Sequence, residues 1–224
     1  MMGFLRKTWA LIAKDLAVER RTREALTTMF VFSVMVVVIL NFAFELRVEN
    51  VRQVAPGALW VAFAFAGVLG LNRSLARERE DGCLEGLMLA PVDRTAIFVA
   101  KAVANLFFML GSEAVVLPLF TVLFGMNVVR ADLAAVILLG TVGLAAVGTL
   151  LAAMAVHTRA RDVLLPILLL PVSVPLLIAA AKATGGLLDG AGLAGVAGWL
   201  QLLGAFDVLF AAVSYVLFEY VVEE

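Results

Sequence analysis

The sequence is poor in the residues that carry most metal and redox chemistry. Its 224 residues include one cysteine, Cys83, and one histidine, His157. A single thiol has no intrachain disulfide partner, and a lone histidine without a second ligand at suitable spacing is a poor metal or heme ligand. We therefore expect no disulfide, no metal site and no heme-ligating pair within this chain.

Catalytic and nucleotide-binding motifs are missing as well. The sequence has no H-E-x-x-H pair and no G-x-S-x-G elbow. The glycine-rich stretch at residues 184–195 is not followed by the Lys-Ser or Lys-Thr that a phosphate-binding loop needs. These absences predict a non-catalytic chain that binds no cofactor, so any ATP hydrolysis must belong to a partner chain.

Charged residues are scarce, at 16% of the chain, and they fall in a few clusters between long apolar runs. Hydrophobic residues make up 63% of the sequence, well above the roughly 45–50% of ordinary soluble domains. About 17–25 apolar residues suffice for one helical span, and lipid provides no hydrogen-bond partners for irregular backbone. The sequence therefore predicts an all-α membrane protein with six transmembrane helices, at residues 25–44, 54–72, 97–124, 132–156, 163–183 and 199–222.

Lysine and arginine are unevenly distributed between the two sides of these spans. Thirteen of the 17 lie in the N-terminal arm, around the loop at residues 73–96, and between the fourth and fifth spans. Because basic residues accumulate on the cytoplasmic side, we expect both termini to be cytoplasmic. The basic clusters flank membrane spans, so we expect membrane lipid as a partner and no nucleic acid.

Residues 1–24 form a separate arm ahead of the six-helix domain at residues 25–224. Charges interrupt the arm throughout, so it lacks the apolar core of a cleavable signal peptide. We interpret it as an amphipathic interfacial helix whose basic residues meet anionic headgroups, although a solvated tail serving only topology is an alternative. The residues expected to face the acyl chains are Phe4, Leu5, Leu11, Ile12 and Leu16.

The stretch "EREDGCLEGLMLAPVDR" at residues 78–94 lies within the predicted cytoplasmic loop. Its centre reads as a short helix that Gly82 allows to begin and Pro91 ends. Leu84, Leu87 and Met88 are spaced to share one face of that helix. The acidic residues beside it are Glu78, Glu80, Asp81 and Glu85.

A short helix with an apolar face and an acidic rim could dock in a groove on a cytoplasmic partner. The alternative is a solvated loop that rests its leucines on lipid. Periodicity alone does not choose between the two.

Two carboxylates fall inside predicted spans. Glu113 lies about midway along the third span, where a carboxylate must be protonated, paired or turned toward a cavity. Pro118 follows five residues later and frees carbonyl groups near it. A transport or coupling role is one hypothesis, and an interhelical hydrogen bond is the other and the favoured one. Asp207, nearer the outer end of the sixth span, leaves the same choice open.

Helix-bending residues and small residues are concentrated in the fourth and fifth spans. Pro166, Pro171 and Pro175 lie in the fifth span and should bend or interrupt it. In the fourth span a stripe of small residues should allow another helix to approach closely, namely Thr141, Ala145, Thr149 and Ala152. Trp60 and Trp199 lie near predicted outer span ends and fit an aromatic belt.

The loop pattern of an acidic residue, Gly, Leu-Glu and a closing Pro resembles the coupling segment of ABC-2-type transporter permeases. Three longer stretches, at residues 54–78, 138–180 and 206–224, are similar to the heme exporter protein B (CcmB) family of the bacterial cytochrome c maturation system. The resemblance covers nearly the whole chain. The proline-rich fifth span and the "HTRARDVLLP" before it are what point to this branch.

This resemblance implies a permease subunit in the bacterial inner membrane, driven by a separate ATP-binding-cassette subunit that docks on residues 78–91. The resemblance implies one of two roles. Either heme is the exported cargo, or the transporter drives the release of heme that a neighbouring membrane subunit has attached to a periplasmic chaperone. The membrane subunits would pair as a homodimer or a heterodimer. The alternatives are an ABC-2 permease for a drug, lipid or glycan, and a proton-coupled secondary transporter that uses Glu113.

Overall fold

The computed structural model describes residues 2–45, 51–80, 93–156, 158 and 160–221. Within these residues the chain forms eight helices and no strand. In chain order they are α1 (Met2–Thr22), α2 (Glu24–Glu45), α3 (Val51–Glu80), α4 (Arg94–Phe124), α5 (Ala131–Val156), α6 (Arg161–Leu188), α7 (Gly192–Gly195) and α8 (Ala197–Val221).

Six of these helices are long and apolar enough to cross a membrane: α2, α3, α4, α5, α6 and α8. The predicted all-α class with six spans is thereby confirmed. The helices α3 and α5 form the centre of the bundle, because most of their residues are buried. The other four surround them and bury only part of their surface.

Glycines let the two central helices approach their neighbours closely. The Trp60 ring of α3 lies against Gly140 of α5, and the Leu71 side chain of α3 lies against Gly148. Beside these glycines the predicted small-residue stripe is buried throughout, which confirms its role in close packing. Glycine and threonine bring the backbones together, and the large side chains of the facing helix fill the space.

Trp60 does not belong to an aromatic belt, so that interpretation was wrong. Its side chain is 1% exposed, and its indole Nε1–H donates a hydrogen bond to the Thr184 hydroxyl of α6 at 3.0 Å. Because the Thr184 hydroxyl accepts this hydrogen bond, the indole N–H has a partner although the ring is buried. Trp199 is 37% exposed.

The amphipathic α1 lies on the first turns of α4. Its buried face carries Thr8, Ile12, Asp15 and Glu19, at spacings that place them on one side of a helix. Ile12 is therefore packed on protein and does not face acyl chains as predicted, because it shares a face with two acidic residues that have protein partners. Leu5 and Trp9 lie on the exposed side.

Two helices differ from their sequence-based outlines. The sequence places the end of the second span at Asn72, but α3 continues to Glu80 because residues 72–80 contain no Gly or Pro and favour helix. At about 1.5 Å per residue, the 30 residues of α3 exceed the roughly 30 Å hydrocarbon core, so one end extends beyond it. The helix α6 continues uninterrupted through Pro166, Pro171 and Pro175 and reaches Leu188. A bending role for those prolines stays a prediction.

Candidate coupling region and intramembrane polar site

The central part of the predicted coupling segment lies outside the described residues. This applies to Asp81, Gly82, Leu84, Glu85, Leu87, Met88 and Pro91, and also to Cys83 and His157. Glu78 and Glu80 lie in the last turn of α3, so the backbone that carries the acidic residues is helical there. The structure thus places the segment between the end of α3 and the beginning of α4.

The beginning of α4 is fixed by a side-chain cap. The Asp93 carboxylate accepts hydrogen bonds from the Thr95 backbone N–H at 3.3 Å and from the Thr95 hydroxyl at 2.9 Å. Such a cap satisfies backbone donors that the first helical turn leaves without partners. Asp93 therefore caps the first turn of α4.

A buried ion pair joins α1 to α4 two turns after this cap. The Lys101 ammonium lies 2.6 Å from the Asp15 carboxylate, and both side chains are nearly fully buried. Lys14 approaches the second Asp15 oxygen at 3.2 Å. Sequence reasoning counted Lys101 only as a cytoplasmic charge. Its position at the edge of an apolar span was a signal that it needed an anionic partner.

The same end of the bundle is closed by an apolar cluster. The rings of Phe98 on α4 and Phe218 on α8 lie 5.1 Å apart, and Leu150 and Ala153 of α5 pack beside them. Four helices, α1, α4, α5 and α8, therefore meet around the first turns of α4.

The side chain of Glu113 is buried, with 3% of its surface exposed, and it contacts Thr141 of α5. The Thr141 hydroxyl lies 3.0 Å from each carboxyl oxygen and 2.8 Å from the Ile137 carbonyl oxygen. A hydroxyl has one hydrogen, so it can donate to one acceptor at a time. All groups are satisfied when a protonated carboxyl donates to the hydroxyl and the hydroxyl donates to the carbonyl.

A second polar contact lies between the same helices. The Asn105 side-chain amide of α4 donates to the Thr149 hydroxyl of α5 at 3.0 Å, and all four polar side chains are buried. We call each of these two polar contacts a rung. The Glu113–Thr141 rung lies eight residues after Asn105 on α4 and eight residues before Thr149 on α5, as expected for two antiparallel helices in constant register. Sequence reasoning found the two threonines and Glu113 but missed Asn105, which lies in a span without any pattern that marks its partner.

An open cavity of about 540 Å³ lies beside the contact between α4 and α5, and Glu113 is one of its lining residues. Its walls are largely apolar, and Arg130 lies at its rim. The Arg130 guanidinium is paired with Asp132 at 2.5 Å, so its charge is already balanced locally. Glu113 thus lines a groove, and within the described residues its one polar partner is Thr141.

Asp207 of α8 is 8% exposed, and neither of its carboxyl oxygens has a hydrogen-bond partner within the described part of the chain. It points at α5, where a methyl group at Gly143 would lie 2.5 Å from Oδ1. The structure does not bring Asp207 together with Glu113 in a hydrogen bond. The two predicted intramembrane carboxyls are therefore separate features, one bonded to its neighbour helix and one not.

Comparison with known proteins gives a consistent family. The family model described as "CcmB protein" matches residues 6–222. The chain is 33% identical to "Heme exporter protein B" of Rhodobacter capsulatus over 174 residues, which cover 77% of this chain and 80% of that protein. It is 30% identical to the protein of the same name from Haemophilus influenzae, covering 88% of this chain and 89% of the relative. The corresponding Pseudomonas aeruginosa protein is 28% identical over 87% of this chain and 88% of its own length.

Proposed function

This chain belongs to the CcmB protein family, and on that premise we propose that it is the permease subunit of an ABC transporter for heme export in cytochrome c maturation. The observation that carries the proposal is similarity to proteins named heme exporter protein B along most of the chain. Six helices able to span a membrane agree with a permease role.

The ATPase that drives the transporter is a separate chain and docks on residues 78–91. Two observations support this part of the proposal. The sequence lacks a phosphate-binding loop of its own. The helix α3 is longer than the hydrocarbon core is thick, and its apolar part is Val51–Ser74, so Glu78 and Glu80 follow the end of the apolar span.

Copurification with the native ATPase tests the docking. We expect Leu84→Asp and Glu85→Lys each to lose the ATPase while the permease stays in the membrane at normal abundance. The matched control is Glu49→Lys, a charge reversal in the predicted loop on the opposite side, which should retain the ATPase. Retention of the ATPase and of its activity in both segment variants would refute the docking site.

The inward position of this segment can be tested with the single thiol of the chain. Because Cys83 is the only cysteine, a membrane-impermeant thiol reagent reports one position. We expect the reagent to label Cys83 in inverted membrane vesicles, whose cytoplasmic face is outward. We expect no labelling in intact cells whose outer membrane has been permeabilised. Labelling from outside would reverse the topology and remove the ATPase from the proposal.

The cargo is heme, and other membrane subunits of the maturation system and a periplasmic heme chaperone are the remaining partners. Two versions fit the chain, namely export of heme itself and ATP-driven release of heme already bound to the chaperone. Purification of the native complex, with every chain and pigment identified, separates them. We expect heme on this subunit when the chaperone is absent if heme crosses here, and heme only on the partners if the complex drives release.

Loss of the gene product gives the functional readout. We expect cells without this chain to lack c-type cytochromes and to keep b-type cytochromes, and reintroduction of the chain should restore them. Normal c-type cytochromes with defective export of a lipid, drug or glycan would instead identify a permease for another cargo.

A further inference from the structure

A cavity of about 550 Å³ opens where α1, α2 and α4 meet. Its walls are apolar and include Leu26 and Phe30 of α2, and Phe107 and Gly111 of α4. Its rim is polar and cationic, with Arg20 and Arg23 at the junction of α1 and α2. We propose that this cavity binds an anionic phospholipid, with the acyl chain against the aromatic walls and the phosphate at the two arginines.

The charges at the rim favour an anion. The side chains of Arg20 and Arg23 are exposed and make no hydrogen bond or ion pair within the described residues. The nearby Glu19 is turned inward, where its carboxylate accepts the Leu26 backbone N–H at 2.8 Å. Its charge is thus engaged by the first turn of α2, and the two guanidinium groups stay available to a phosphate.

The backbone holds one of these arginines in an unusual conformation. Arg23 has φ 57°, in the left-handed region that glycine normally occupies, and it is the residue between the ends of α1 and α2. Its backbone N–H bonds to the Glu19 carbonyl at 2.7 Å, and its own carbonyl accepts the Thr27 N–H at 2.9 Å. This bend joins an amphipathic helix to a spanning helix, which places the rim at headgroup depth and the walls at acyl depth.

The apolar walls of the cavity fit an acyl chain better than a soluble anion. Phe30 and Phe107 are both partly exposed large apolar side chains on spanning helices, so an acyl chain would cover surface that a free phosphate leaves bare. The shared chemistry of both ligands is the phosphate at Arg20 and Arg23. The apolar walls decide in favour of the lipid.

Native mass spectrometry of the purified full-length chain tests this site independently of any transport activity. The probes are dioleoyl phosphatidylglycerol and dioleoyl phosphatidylcholine, which share their acyl chains and differ in net charge. We expect phosphatidylglycerol to be retained more strongly, by about fivefold for each arginine that contacts the phosphate. Equal retention of the two lipids would overturn the proposal.

A double variant and its charge-matched control locate the site. Arg20→Gln with Arg23→Gln should reduce phosphatidylglycerol retention to the level of phosphatidylcholine. Arg6→Gln with Arg21→Gln removes the same charge from exposed positions of α1 that do not line the cavity, and should keep the preference. If both double variants lose retention equally, general surface charge explains the effect and the site is refuted.

Filling the cavity gives a second, uncharged test. A Cβ at Gly111 would lie 3.5 Å from a Leu26 methyl group, an ordinary contact, so Gly111→Leu can extend into the cavity without displacing backbone. We expect it to lower phosphatidylglycerol retention while both arginines remain. Competition by glycerol 3-phosphate at millimolar concentration would show that the phosphate alone is recognised and would overturn the lipid assignment.

Discussion

The side-chain amide of Asn105 donates a hydrogen bond to the Thr149 hydroxyl, 3.0 Å away, across the contact between α4 and α5. Eight residues further along each helix, Glu113 and Thr141 form the second polar contact of the same pair. The two contacts fix the register of α4 against α5, since sliding either helix by one turn would leave buried polar groups without partners.

Removal of either partner of a rung should destabilise the bundle modestly. We expect Asn105→Leu and Thr149→Val to lower the melting temperature, and a double-mutant cycle to give a coupling energy of about 0.6 kcal/mol, the usual size for hydrogen bonds between membrane helices. The measurement is thermal unfolding of purified protein in detergent. Zero coupling would mean that the amide and the hydroxyl contribute independently.

The second rung separates a packing role of Glu113 from a transport role. Glutamine can still donate to the Thr141 hydroxyl, so Glu113→Gln should keep the abundance and melting temperature of the protein, whereas Glu113→Leu should lower both. Under the packing role, c-type cytochromes form normally with Glu113→Gln. If that variant folds but cytochrome formation fails, the carboxyl takes part in transport or coupling.

The buried ion pair between α1 and α4 should respond strongly to single substitutions. Asp15→Leu takes the carboxylate from the buried Lys101 ammonium, and we expect a loss of about 3–5 kcal/mol in the free energy of unfolding. The double variant Asp15→Leu with Lys101→Met should recover most of that loss, because an apolar pair needs no desolvation of charge. Failure of the double variant to recover would show that the ion pair is not the main contact there.

Close packing of Trp60 on Gly140 predicts an asymmetric pair of glycine variants. Gly140→Ala places a methyl group against the Trp60 ring, so we expect a loss of about 1–3 kcal/mol from overpacking. Gly57→Ala is the matched control in α3, where an added methyl group meets nothing within 4 Å and helix propensity improves. The two melting temperatures should move in opposite directions, and a similar decrease in both would argue against the contact.

Because the Asp207 carboxyl has no hydrogen-bond partner within the described residues, replacing it can separate a role in stability from a role in function. An unsatisfied buried polar group costs about 1–3 kcal/mol, so Asp207→Leu should raise the melting temperature. Asp132→Leu should lower it, because Asp132 pairs with Arg130 and accepts the Leu133 N–H at 3.0 Å. A stabilised Asp207→Leu protein that no longer supports cytochrome formation would identify the carboxyl as functional. A destabilised one would contradict the expected cost of the unpaired carboxyl.

The six spanning helices were predictable because apolar run length alone limits what can cross a bilayer. The end of α3 was not, since charge ends an apolar run at Asn72 while helix propensity continues to Glu80. The small-residue stripe of α5 was recognisable from spacing. The contact of Trp60 with Gly140, beside this stripe, was not recognisable, because the two residues are 80 positions apart in sequence and meet only in the tertiary fold.

The candidate sites followed the same division. The depth of Glu113 was readable from its position in the run, and its partner was not. In the sequence, Asp15 was one of the charges that interrupt the N-terminal arm, and Lys101 was one of the basic residues that indicate topology. Each has the other as its partner, and that relation depends on how α1 lies on α4. The motif at residues 78–91 was recognised from its sequence pattern alone, and most of it lies outside the described residues.

The two helices that flank residues 81–92 differ in how deeply they are buried in the bundle. On one side, α3 runs through the centre of the bundle and is held from several directions. On the other, α4 lies at the periphery with α1 fastened to it through Lys101 and Asp15. A force transmitted through residues 81–92 would therefore reach a buried helix and an outer helix together, and any shift of α4 would carry α1 with it.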